Sequence, residues 1–139
     1  MSLKRGEIFV FGSNLAGHHM GGAAKAAHKK FGAEWGVGVG LTGRSYAIPT
    51  MQGGVETIRP YVNQFINFAS RNPDMKFLVT RIGCGIAGFK DEEMAPLFRK
   101  AVPVSNIYHI ATMPLSVPRK ILTSYSVLVN IVAHKSARL

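Results

Sequence analysis

The residues of this chain that could do chemistry gather in two stretches. One holds Gly12, Ser13 and Asn14, then His18, His19, Gly21 and Gly22; the other runs through Gly83, Cys84, Gly85, Ile86, Ala87, Gly88 and Phe89. Asn14 offers an amide that donates and accepts, which suits sugar hydroxyls. His18 or His19 could serve as a general base, although a solvated loop histidine is the commoner outcome. Adjacent histidines are not a helix-face metal pair, and no other Cys or His cluster has ligand spacing, so no metal site is expected. Cys84 lies in an N–H-rich loop that would favour its thiolate, but the sequence assigns it no histidine partner for nucleophilic catalysis. Asp91, Glu92 and Glu93 are paired-carboxylate candidates that a helix start explains more simply. Arg44 and Arg81 flank the loops and could bind phosphate; structural or surface ion pairs would account for them equally well.

These groups act together only if the backbone holds them together. Residues 77–82 are mostly apolar and partly β-branched, as in a strand covered on both faces. Three glycines in the six positions 83–88 follow, and then acidic residues suited to the positive end of a helix. Residues 7–11 read as an earlier strand ending at Gly12-Ser13-Asn14. Residues 23–31 are alanine-rich and close on His28, Lys29 and Lys30 before Gly32, which predicts a helix. Strand, glycine loop and helix therefore occur twice. In that arrangement glycines let backbone N–H groups reach an anion with no Cβ in the way. A single such loop is as readily a tight turn; two in one small domain favour a ligand.

The intervening chain supplies the frame. Residues 32–43 contain five glycines, and 38–43 match G-x-G-x-x-G by letter. That motif must leave a strand and open a helix, whereas here it leads into another short strand at 45–49. A flexible connection is expected. Thr57 is placed to cap a helix with Pro60 in its first turn. Ile58, Tyr61, Val62, Phe65, Ile66, Phe68 and Ala69 then recur at helical spacing as a core stripe, and Asn72-Pro73-Asp74 stops it. Pro96 limits the helix after Glu93, and 106–110 reads as an edge strand. Further on, 116–120 looks like a loop and 121–133 fits either a strand pair or a helix.

Composition sets outer bounds. The chain has 139 residues, enough for one domain, and 47% of them are apolar. The single cysteine forbids an internal disulfide and fits a cytoplasmic location. Residues 1–6 are polar, without a signal-peptide pattern, and the longest apolar tract is too short and too polar to span a bilayer. The formal charge is +10, and residues 105–139 carry four basic and no acidic residues. That field attracts polyanions or anionic metabolites. With no basic run of five or six, it shows no dedicated nucleic-acid arm.

Three segments together resemble the macro domain superfamily, the ADP-ribose-binding fold, and more closely its small phage and bacterial branch. Residues 10–14 with Gly21-Gly22 resemble the macro strand ending in asparagine and its glycine-rich loop. Residues 40–49 are similar to the middle segment. Residues 77–93, with Gly85-Ile86-Ala87-Gly88-Phe89, resemble the loop that clasps the diphosphate. The resemblance covers roughly 7–100 and leaves 105–139 as an unassigned tail. It implies one domain over 1–139, an α/β fold: a three-layer α/β/α sandwich with a mixed, mostly parallel central sheet. It implies Asn14 on the distal ribose, residues 83–88 on the phosphates and Phe89 on the ribose face. The acidic residue that often follows the first glycine loop in ADP-ribose-removing members is replaced by Ala24, and the early acidic residue that reads adenine has no counterpart.

The expected function is therefore binding of ADP-ribose or a related nucleotide diphosphate between the two loops. ADP-ribosylated protein is a further expected partner, and weak ADP-ribosyl ester hydrolysis by Asn14 with His18 or His19 a further activity. No cofactor and no membrane are expected. The rival is a basic nucleic-acid-binding protein that uses the +10 charge and the C-terminal tail.

Overall fold

A computed structural model describes residues 2–110. At its centre lies β1 (Glu7–Ser13), buried along almost its whole length, as an apolar run between two covered faces should be. Around it the described residues form a five-stranded sheet in the order β2-β3-β1-β4-β5, with β2 (Gly40–Thr42), β3 (Ser45–Pro49), β4 (Lys76–Val79) and β5 (Ile107–His109). β1 runs parallel to β3 and β4, β5 runs parallel to β4, and only β2 is antiparallel to its neighbour β3. The fold class is α/β with a mixed, mostly parallel sheet, as expected.

Alternation along β1 assigns the helices to opposite faces. Phe9 and Phe11 pack with Ala27 of α1 (Gly22–Lys30) and with Phe31 just past its end. Ile8 and Val10 face the other way, into a larger cluster with Tyr46, Ile48, Phe77 and Val79 and with Val62, Phe65 and Ile66 of α2 (Arg59–Ser70). The short α3 (Asp91–Met94) and the 3-10 helix Ala95–Ala101 add Met94, Leu97 and Phe98 to that same cluster. Each of these large side chains removes roughly 1.5–3 kcal/mol worth of apolar surface from water. The α2 stripe is thus core, as its spacing predicts.

Three local expectations need correction. Residues 40–42 are not loose connection; they pair with β3 as an edge strand, across a turn at Gly43 whose φ is +57°. Thr57 does not cap α2. It lies in the 3-10 turn Val55–Thr57 and donates its hydroxyl backwards to the Gly54 carbonyl, and α2 starts with no side-chain cap. The strand expected over 77–82 ends at Val79; Thr80 instead donates both its N–H and its hydroxyl to the Val10 carbonyl, splicing the strand end onto β1. Pro96 acts as expected, since the α-helical turn becomes 3-10 at Ala95. The unassigned tail begins inside the sheet, for β5 falls within it, and the readings made for 116–120 and 121–133 lie outside the described residues.

Candidate functional site

β1 leads to α1 on one face of the sheet, and β4 leads to α3 on the other. The two connections part where β1 and β4 lie side by side, and in open α/β sheets a crevice forms at the carboxyl ends of strands at such a point. Here it is a cleft of about 650 Å³, within the range of small-molecule sites. Both glycine loops line it. They meet at the base, where a Cβ on Gly12 would lie 3.6 Å from the Gly83 nitrogen, and at the rim, where a Cβ on Gly21 would lie 3.4 Å from Ile86 Cδ1.

Of the residues singled out by sequence, Gly12, Ser13, Asn14, His18, Gly21, Gly22, Gly83, Cys84, Gly85, Ile86 and Ala87 line the cleft. Gly88 and Phe89 do not. Phe89 packs against the α2-side core and donates its N–H to the Gly83 carbonyl at 2.9 Å, closing the loop from behind. His19 is also outside. It is 2% exposed, edge-on to Phe11, and its Nε2 lies 2.9 Å from the Glu34 carbonyl. A carbonyl can only accept, so Nε2 carries the proton; Nδ1 is then an acceptor without a hydrogen-bond partner among the described residues.

Asn14 folds its amide over its own loop. Its Oδ1 accepts from the His18 N–H at 2.8 Å and its Nδ2 donates to the His18 carbonyl at 3.0 Å. One amide hydrogen and one lone pair remain for a ligand. The His18 ring lies exposed and stacks on Trp35, with centroids 5.2 Å apart and planes 13° from parallel.

The second loop is rich in unspent donors. The N–H groups of Cys84, Gly88 and Phe89 bond within the loop region. Those of Gly83, Gly85, Ile86 and Ala87 have no acceptor among the described residues. The first turn of α1 adds more: Gly21 at its start provides no side-chain cap, and the turn contains no acidic residue. The leading N–H groups of a helix have no partners within it.

Cys84 corrects the expectation of a thiolate. Burial pushes its pKa up to about 12, helped by Asp91, whose Oδ1 accepts from the thiol at 3.2 Å. The same carboxylate receives Arg81, at 3.0 Å to Oδ1 and 3.1 Å to Oδ2. Arg81 lines the cleft, whereas Arg44 reaches away to the Lys4 carbonyl. No group of three or more His, Cys, Asp or Glu side chains among the described residues could hold a metal, and no described helix is long and apolar enough to cross a membrane.

Sequence reasoning missed Met20, Ala26, Lys30, Phe31, Thr50, Met51 and Thr80 as lining residues. Thr50 and Thr80 could have been found as the first residues past the two strands flanking β1, since those strand ends share the edge. Lys30 and Phe31 end α1 and carry no motif. Comparison of the chain with protein-family models, curated proteins and solved structures found no match.

Proposed function

We propose that the cleft binds ADP-ribose or a related nucleotide diphosphate, in a fold of macro-domain-like type. One observation carries this reading: unspent backbone donors from two glycine-rich strand-to-helix connections border a single cleft, and none of its described lining residues is acidic. Such donors satisfy phosphate oxygens without desolvating a side-chain cation. Arg81, its charge paired with Asp91, borders the same end, and Asn14 keeps amide capacity for a sugar hydroxyl. ADP-ribosylated protein is the macromolecular partner that follows from such a ligand. Hydrolysis of an ADP-ribosyl ester would fall to His18, positioning water with help from a substrate phosphate; His19, buried against Phe11, would take no direct part.

Calorimetric titration with ADP-ribose, AMP and a short single-stranded oligonucleotide tests the reading. ADP-ribose should bind most tightly, and at a hundredfold excess over its Kd it should add about 2.7 kcal/mol to the unfolding free energy. No heat and no melting shift at millimolar ADP-ribose would remove the proposal. Release of free ADP-ribose from an acetylated ADP-ribose, lost in His18→Ala, would support the hydrolytic part; an inert substrate would leave a binding module.

A further inference from the structure

The cleft does not end at the glycine loops. It continues along α1 over Ala23 and Ala26, floored by Phe9 and Phe31, to Lys30 at the far end of the helix. Lys25 and Lys29 are equally exposed on α1 but do not border the cleft. A favourable position near a helix C-terminus explains why basic residues collect there. It does not explain why one of them closes an apolar trough.

The Lys30 side chain makes no hydrogen bond or ion pair with any described residue. Lys30 and Arg81 are the two Lys or Arg side chains among the described lining residues; Arg81 is paired with Asp91, which leaves Lys30 as the cation of the lining with no carboxylate partner among the described residues. Gly22 and Lys30 are eight residues apart on α1, about 12 Å along the axis at 1.5 Å per residue. Helical side chains lean back toward the N-terminus, which brings the ammonium nearer to the phosphate end than its Cα. The span from the free donors at the start of α1 to Lys30 is of nucleoside length, and the apolar side chains of Ala23, Ala26 and Phe31 line it.

Resting on the nucleotide-diphosphate reading above, we infer that Lys30 marks a second anion subsite, and that the ligand is a nucleotide diphosphate with an additional phosphate monoester on its nucleoside ribose. The pyrophosphate takes the loop donors, the nucleoside lies over Ala26 and Phe31, and the ribose phosphate meets Lys30.

The test compares ADP-ribose with ADP-ribose 2′-phosphate, and ADP with its 3′-phosphorylated form, by calorimetry at fixed salt. The wild type and Lys30→Met are titrated in parallel. Methionine keeps most of the apolar stem and removes the charge, and a melting curve for each protein confirms the fold. The extra phosphate should tighten binding to the wild type about fivefold in at least one pair, as a partly exposed charge pair would, and that ratio should fall to within about twofold of unity in Lys30→Met. Equal affinities within both pairs in the wild type would overturn the inference while leaving the nucleotide reading intact. A preference that survives in Lys30→Met would overturn the assignment to Lys30. Absence of binding by all four probes would overturn both.

Discussion

At the scale of single residues, the clearest consequence concerns Cys84. A thiol with its pKa pushed up to about 12 holds roughly a thousandfold less thiolate at pH 8 than an ordinary one. Iodoacetamide should therefore label native Cys84 slowly at pH 8, and Asp91→Asn should speed labelling by removing the carboxylate that holds the proton. Equal rates in the two proteins would show that the Cys84–Asp91 contact has no influence. The sign for stability follows from the same shift. The unfolded thiol ionises first, so the folded state binds the extra proton, and stability falls as pH rises from about 9 toward about 12. None of this was legible in the sequence, because glycine-loop donors argued for thiolate while Asp91 stands seven residues away. His18 and His19 give the same lesson: neighbours in sequence, they point to solvent and to core, and it is packing against Phe11 and the bond to the Glu34 carbonyl that hold His19 inside.

At the scale of elements, the second loop depends on glycines for different reasons. Gly83 has φ +78°, and a Cβ there would lie 2.7 Å from the sulfur of the buried Met94. Gly83→Ala should destabilise the fold by about 2 kcal/mol in urea unfolding, from the left-handed backbone and the clash together. Gly85 has ordinary φ, and its Cβ would meet nothing within 4 Å. Gly85→Ala should change stability by less than about 0.5 kcal/mol. Gly85→Glu should also fold, yet lose ADP-ribose by placing a negative charge among the phosphate donors. Retained affinity in Gly85→Glu would show that the phosphates bind elsewhere. Elements with strong periodic or compositional signals, such as β1, α1, β3 and α2, were legible in the sequence. β2 was not, because three residues that begin with a glycine and end before another carry no periodicity, and its pairing is supplied by β3. Thr57 misled because its hydroxyl donates to the nearby Gly54 carbonyl and does not accept from an N–H of α2.

At the scale of the whole molecule, the question is how much of the +10 charge reaches the ligand. The cleft's described lining has two Lys or Arg side chains, and many of the other basic residues are spread over the surface. Affinity for ADP-ribose should therefore fall only modestly between 50 and 200 mM salt, whereas a polyanion touching six or more cations would lose about a thousandfold or more. A steep loss for ADP-ribose would mean that the diffuse field, and not the loop donors, holds it. The location of the cleft was legible, since two strand-to-helix glycine loops on parallel neighbours must share an edge. Its extension to Lys30 was not, because it arises from where α1 lies on the sheet.

The central position of β1 carries a consequence for how the protein is made. Made before β3 and β4, that strand needs one of them on each side, so its second partner does not exist until translation has passed Val79. Until then a nascent chain exposes an apolar ribbon with one open edge, the kind of surface that seeks another chain. The two lips of the cleft belong to segments about seventy residues apart, so no ribosome-bound intermediate shorter than both can hold a ligand. A ligand of the cleft can assist folding only after both loops have been made.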